Sequence, residues 1–296
     1  MDQVVVTVCP LCGCGESDLF DRRFFHKEPV TNCICKQCGF VFQSPRMSQE
    51  RLDQFYVQEY RQLYQGEAGP VQKDLATQSA RAANLLAFLR SHGVTRLSRH
   101  LDIGSSAGLL LQAVRSGYGC ESVGVEPGLA YREASQKAGV KVYPRLEDLP
   151  REGEGRFDLV SLIHVLEHMP DPVGVLAHLR QDWLAPGGWL LVEVPDLYCH
   201  DCFEVAHLAS FSSHTLAQVL RKAGYRLLAV RKHGQPRSRI LPLYMTLLAQ
   251  PLPKDETSAF AAVKPESSVR LKRRCGLARR QVLERLLPTL AWQPVK

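Results

Sequence analysis

The sequence has no apolar run approaching the roughly 18 uninterrupted residues that a membrane-spanning helix needs. The nearest, ILPLYMTLLA at 240–249, is far too short. The opening residues, MDQVVVTVCP, have neither a basic region nor a long apolar core, which argues against a secretory signal. There is no internal repeat, which excludes solenoid and propeller architectures. Aromatic residues are sparse among the basic residues of the last part of the chain (Tyr244, Phe260, Trp292), so platforms for stacking nucleic-acid bases are not evident there. These absences leave a cytoplasmic protein without a membrane span as the expectation.

What is present begins with ordinary globular composition: 296 residues, 45% hydrophobic and 23% charged, with room for one large domain and a small one. The net charge of +7 is uneven. From Arg226 onward there are 15 Lys/Arg against 4 Asp/Glu, so this tail is strongly basic while the rest is slightly acidic. Such a tail is either a solvated face or a site for an anionic partner: nucleic acid, a nucleotide-linked substrate or an acidic membrane surface.

Six of the ten cysteines lie in the first 38 residues. CPLCG (9–13) and CKQCG (35–39) are two C-x-x-C-G units with 22 residues between Cys12 and Cys35. Two thiolates on each tight turn can grip one side of a tetrahedral ion, and four together satisfy Zn²⁺. Cys9, Cys12, Cys35 and Cys38 are therefore the expected ligands of a structural zinc, with Cys14 and Cys33 spare. The expected organisation is a zinc ribbon over 1–45, a helical linker over 46–98, a main domain over 99–250 and a basic tail over 251–296. Within the linker, Ser48 caps a helix and residues 71–92 form a second one.

From residue 100 short apolar runs alternate with helical segments: HLDIG, SVGVE, VKVY, FDLVSLI and WLLVEV. Strands buried on both faces with helices between them form a parallel sheet with helices on both sides. YRLLAVRKHG and RILPLYMTLLA add two strands, and 268–287 reads as a basic amphipathic helix. The first strand ends in LDIGSSAG (101–108). GSSAG matches the G-x-S-x-G serine-nucleophile elbow, but that elbow needs an oxyanion donor from an earlier strand-to-helix loop, and no earlier strand of this sheet exists. A pyrophosphate loop would want G-x-G-x-x-G, whereas Ser106 and Leu109 stand at its second and third glycines. What remains is a tight Gly104 to Gly108 turn into a helix, with Glu126 ending the next strand. A carboxylate there pairs with both hydroxyls of a ribose, as a nucleoside cofactor without phosphates would require.

LDIGSSAG, VGVEP and FDLVSLIHVLEHMPDPVGVLAHLRQDWLAPGGWLLVEVPD, in this order and spacing, resemble class I S-adenosylmethionine-dependent methyltransferases over residues 100–196. The resemblance implies a Rossmann-like α/β sheet with S-adenosylmethionine as cofactor. By it, Asp102, Gly104, Ser105 and Gly108 line the methionine half and Glu126 holds the ribose. Glu147 or Asp148, in LEDLP (146–150), would contact adenine, and His164 would lie beside the sulfonium. The ribbon with the following residues also resembles the amino-terminal extension of bacterial small-molecule methyltransferases and of deoxysugar C-methyltransferases, although only some 45 residues follow Pro251 here. HVLEH (164–168) literally matches a zinc-peptidase pattern, but it directly follows a strand instead of lying within a helix. It is also similar to the acid-x-x-Glu-His segment of ubiquinone-pathway O-methyltransferases, with His164 at the place of the first acid.

Glu167 and His168 are expected to face the acceptor. His168 and His207 are the candidate general bases, His207 lying in a segment that resembles the His-Leu-x-x-Phe-Ser block of these enzymes. His214 is expected only in the first turn of a helix after a Ser212 or Ser213 cap. The expected activity is methyl transfer to a small-molecule acceptor, with O-methylation favoured. An RNA-modifying methyltransferase is the second reading and a noncatalytic cofactor-binding scaffold the third; RNA stays open as a partner.

Overall fold

A computed structural model of the chain describes residues 2–60, 63, 66, 69–149, 155–201, 203–253 and 262–294. Pro150 of LEDLP, much of 61–68, and 254–261 of the expected basic tail lie outside the described residues. The chain opens with five strands: β1 (Gln3–Val4), β2 (Ser17–Phe25), β3 (Glu28–Cys35), β4 (Val41–Gln43) and β5 (Arg46–Met47). β2, β3 and β4 pair antiparallel, and β1 pairs with β5, so this module runs through Met47. Its two C-x-x-C-G turns share one geometry. Gly13 and Gly39 adopt φ of +79° and +76°, and their amides bond the carbonyls of Cys9 and Cys35. Glycine takes that left-handed backbone without strain.

Helix α1 (Gln49–Gln58) starts where the Ser48 hydroxyl accepts the Arg51 amide, as expected. Helix α2 (Gln72–Ser91) leads into a seven-stranded sheet. That sheet contains β6 (Arg99–Ile103), β7 (Glu121–Val125), β8 (Lys141–Tyr143), β9 (Phe157–Ile163) and β10 (Leu184–Pro195), all parallel. The crossovers are α3 (Leu109–Tyr118), α4 (Leu129–Lys137) and α5 (Pro172–His178), the last continued by a wide turn at Leu179–Trp183. β11 (Ala209–Ser210) and α6 (Ser213–Lys222) follow, and then the antiparallel hairpin of β12 (Tyr225–His233) and β13 (Tyr244–Pro251). β13 lies antiparallel on β10. The spatial order is β12-β13-β10-β9-β6-β7-β8. The chain therefore builds outward from β6 to β8 and returns to the other side of β6 with β9. That reversal opens a crevice at the carboxyl ends of β6 and β9, where open α/β sheets bind ligands.

Two connections were not apparent in the sequence. β11 pairs antiparallel with β4, so the amino-terminal sheet has the order β11-β4-β3-β2 and takes a strand from the distal chain. The carboxyl-terminal segment forms α7 (Val269–Leu286) and the short α8 (Pro288–Ala291), and α7 spans both sheets. Arg270 donates to Phe20 O in β2, while Arg273 donates to the carbonyls of Leu197 and His200 beyond β10. Part of the tail's positive charge is thus spent on internal carbonyls.

Candidate active site

The turn after β6 closes because Gly104 and Gly108 both take positive φ, +71° and +74°. A Cβ on Gly104 would collide with the Val165 side chain, and one on Gly108 would meet Ser135 Oγ at 2.9 Å. The amides of Gly104 and Ser105 both bond Val125 O, tying the turn to the end of β7. There the buried Glu126 accepts the Ser106 amide on Oε2 and the Gly128 amide on Oε1, each at 2.9 Å. The two amides fix the carboxylate in orientation at the cavity wall.

Under the turn, four polar side chains cross the sheet. Ser122 lies 3.4 Å from His100 Nδ1, His100 Nε2 lies 2.8 Å from Ser161 Oγ, and Ser161 donates to Asp102 Oδ1 at 2.5 Å. Burial pushes the His100 value down to about 3 and the Asp102 value up to about 7, because a low dielectric disfavours either charged form.

Asp102, the Gly104–Ser106 turn and Glu126 line a cavity of about 440 Å³, within the roughly 300–1,000 Å³ range of small-molecule sites. The cavity fits a nucleoside cofactor on its own features: the side-chain-free cradle at Gly104, the fixed Glu126 carboxylate, and a buried Ser105 hydroxyl without a partner among the described residues. Asp102, Gly104, Ser105, Glu126, His164 and His168 are all lining residues. Gly108 is not; it caps α3 just behind the wall. Glu147 and Asp148 form an exposed short turn, and the nearby wall residue is Pro144. The expected adenine contact therefore finds no carboxylate from this turn in the wall.

On the β9 side, His164 adopts φ +56°, a left-handed backbone uncommon in a side-chain-bearing residue, as does Ser106 at +49° across the cavity. Strained positions of this kind gather at ligand sites. His164 lies 3.2 Å from Glu167 and 3.3 Å from Glu193. Burial and the Arg81 charge lower its proton affinity, but the two carboxylates outweigh them and the net shift is upward. Glu193, wholly buried in β10, lies 2.9 Å from Arg81 Nε, accepts from Thr246 and contacts His233 at 3.2 Å. Its burial is overcome by these partners, which hold it well below the ordinary carboxylate value. The Arg81–Glu193 contact is an ion pair without an aligned hydrogen bond, since Nε and Oε1 each lack one among the described residues.

His168 is buried, and its Nδ1 lies 2.8 Å from Ala206 O. A carbonyl only accepts, so Nδ1 carries the proton and Nε2 carries a lone pair. Burial lowers the His168 value to about 4 despite the neighbouring Glu167, which keeps the ring neutral near pH 7. Burial resists ionisation of Glu167 too, but the His164 hydrogen bond and the nearby imidazoles bring it to about 2. The His168 and His207 rings are 5.0 Å apart, and Glu167, His168 and His207 offer ligand atoms all within 4.8 Å of one another. This cluster could hold either a transferable proton or a divalent cation. Tyr56 and Tyr60 reach the cavity beside α1 and pack edge-on against His168, each with centroids 5.8 Å away. His214 stays apart in the first turn of α6, where Ser212 and Thr215 form a capping box.

At the other end of the chain, Cys9 Sγ lies 3.6 Å from Cys38 Sγ and Cys12 Sγ 3.5 Å from Cys35 Sγ. A tetrahedral ion with 2.3 Å bonds places its sulfurs about 3.8 Å apart, so the four thiols already approximate that polyhedron. Cys14 and Cys33 are outside it.

A family model described as a methyltransferase domain matches residues 71–230. The chain belongs to the methyltransferase-domain family. Its fold is similar to that of 1,6-didemethyltoxoflavin-N1-methyltransferase from Burkholderia thailandensis, a structure with bound S-adenosylhomocysteine. That likeness has a TM-score of 0.56 and 18% identity, covering 79% of this chain and 100% of that one. Mitomycin 7-O-methyltransferase is similar at a TM-score of 0.50 and 17% identity, with 68% and 60% covered. Among curated relatives, the ubiquinone biosynthesis O-methyltransferase of Xanthomonas euvesicatoria is 36% identical over 101 residues, which is 32% of this chain and 42% of that one. The chain thus spans less than half the length of that relative.

Around the cavity, sequence reasoning missed Arg81, Glu193, Tyr56 and Tyr60. A glutamate inside the apolar run WLLVEV was the available signal for a buried ion pair. Nothing local identified Arg81 as its partner, which lies more than a hundred residues earlier in the chain.

Proposed function

We propose that this methyltransferase-domain protein transfers the methyl group of S-adenosylmethionine to a small-molecule acceptor, with oxygen the favoured target. The observation that carries the reading is the single cavity wall joining the Gly104–Ser106 turn, Glu126 and His168. Glu126 binds the ribose hydroxyls, the glycine turn leaves room for the methionine half, and Arg81, a guanidinium in the same wall, receives its carboxylate. The cofactor supplies a carbon already activated by positive sulfur. The chain then has to align the acceptor and remove its proton. Neutral His168, with its Nε2 lone pair, is the base, and His207 is its neighbour and alternate. Tyr56 and Tyr60 wall the acceptor beside it.

We further propose that Cys9, Cys12, Cys35 and Cys38 bind a structural zinc, since four sulfurs leave no open position for chemistry. The division into ribbon, helical linker, catalytic domain and basic tail is retained, with the ribbon sheet completed by β11. A second reading follows from the Glu167, His168 and His207 cluster: these three would hold a divalent cation, which would lower the acceptor's pKa.

Calorimetric titration with S-adenosylmethionine, followed by incubation of labelled cofactor with a metabolite extract and separately with RNA, tests the proposal. Binding and label in the small-molecule fraction are expected. Label in RNA alone moves the activity to the second substrate class, and absence of both heat and label leaves only a scaffold. Loss of turnover on chelation, with the four-thiol zinc retained, selects the cation over the base.

A further inference from the structure

Helix α7 is attached by one face and bare on the other. Val269, Arg273, Gly276, Arg280 and Leu283 make the attached face. Val269 is buried with Val41, Leu197 and Phe203, while Leu283 packs with Cys199, Tyr244 and Ala291. Gly276 sits so close to the Tyr198 carbonyl that a Cβ would collide with it. Arg280 donates to Cys199 O at 3.0 Å and pairs with Glu284, and Lys272 pairs with Glu266.

The opposite face carries Leu271, Cys275, Ala278, Val282 and Leu286, all exposed. Leu271, Val282 and Leu286 are 60%, 53% and 72% accessible. At about 100° per residue these five positions fall within about 40° of one line along the helix. Arg274 and Arg285 flank that line on one side, Arg279 and Lys272 on the other. Arg274, Arg279 and Arg285 form no ion pair among the described residues. Just past the helix, Leu287 and Trp292 are also exposed. Isolated exposed leucines are ordinary, but an aligned apolar stripe along a helix is an interaction surface.

Charge decides what covers it. A second copy would set arginine against arginine, because the one acid of the helix, Glu284, is turned to Arg280. Nucleic acid would meet an aliphatic centre whose one exposed aromatic neighbour, Trp292, already has the Arg280 guanidinium over its ring. An anionic bilayer satisfies both features: the stripe enters the headgroup–acyl boundary and the arginines reach the phosphates. We propose that the outer face of α7 lies on an anionic lipid surface, holding the chain at the membrane without crossing it.

Co-flotation of the full chain with vesicles tests this, using phosphatidylcholine alone and phosphatidylcholine mixed with phosphatidylserine. Binding to the mixed vesicles is expected, at least ~10-fold tighter than to the neutral ones and weakening as salt rises. Val282→Glu should abolish it. Arg274→Ala with Arg285→Ala should weaken it about 25-fold, at about fivefold per arginine. All these side chains are exposed, so unchanged melting temperatures are expected and would separate lost binding from lost fold. No binding to mixed vesicles, equal binding to both compositions, or binding indifferent to Val282→Glu overturns the proposal. So does lipid-free self-association abolished by Val282→Glu, which would assign the stripe to a second copy, or RNA binding abolished by the arginine pair, which would assign it to nucleic acid.

Discussion

The amino-terminal module and the seven-stranded sheet are held together by different means. In the module β2 is largely exposed, and the buried centre consists mainly of Cys9, Leu11, Cys35, Cys38, Phe40 and Phe42. So short a segment buries little apolar surface of its own; its centre joins the apolar cluster of the large sheet, and the proposed zinc would supply the rest of its order. In the sheet, β9 and β10 are buried on both faces, and apolar burial supplies the stability at ~1.5–3 kcal/mol per large side chain. The difference teaches where to look for function. In the module, the polar cluster is the core. In the sheet, polar groups that remain inside, such as Asp102, Glu126 and Glu193, are exceptions gathered around the cavity.

The strongest way to break this contrast is Cys35→Ser. Structural zinc contributes about 10 kcal/mol or more to such modules, so the variant should lose its metal and the order of residues 2–47, while the far-ultraviolet dichroism of the large sheet persists. Metal analysis and limited proteolysis would show it; a metal-free parent protein with an intact module would abolish the distinction. Gly104→Ala probes the sheet side. A side chain there meets both a positive φ and Val165, so a loss of about 2–4 kcal/mol is expected by denaturant titration, together with a closed cavity.

His168 sharpens the comparison through pH. Its folded value near 4 lies below the ordinary value of about 6.5. The unfolded chain therefore takes up a proton that the folded one refuses, and stability is lost as pH falls from about 6.5 to 4, by up to about 3 kcal/mol. His168→Asn should flatten that part of the stability profile relative to the parent; identical profiles would place the titration elsewhere. The smallest effect expected is that of Glu126→Ala, a loss of about 1.5–3 kcal/mol in cofactor affinity by calorimetry. Unchanged affinity would remove Glu126 from the ribose.

Legibility followed the same divide. The parallel strands were readable because burial on both faces leaves uninterrupted apolar runs, and their observed bounds at β6, β7 and β9 fall within a residue or so of those runs. The clustering of the four thiols was readable because spacing alone brings two of them onto each turn. The place of Glu126 in the cavity wall was readable from its position at the end of β7. Arg81, Tyr56 and Tyr60 were not, because a helix before the sheet acquires its role only through packing across the cavity mouth. Neither was β11: two residues, Ala209 and Ser210, carry no periodicity, and only β4 makes them a strand. In LEDLP, Glu147 and Asp148 are exposed and the nearby wall residue is Pro144, a distinction that proximity along the chain could not make.

The pairing of β4 with β11 also limits how this protein can be taken apart. A chain cut to begin at Ser48 would keep every strand of the large sheet, yet it would strip the partner from Ala209 and Ser210 and the Phe40 ring from Phe211. The loop carrying His207, directly before that strand, would lose its anchor. The cysteine module is a support for the segment beside the cavity, through Gln43 on Glu204 O and Leu208 O, not a removable tag.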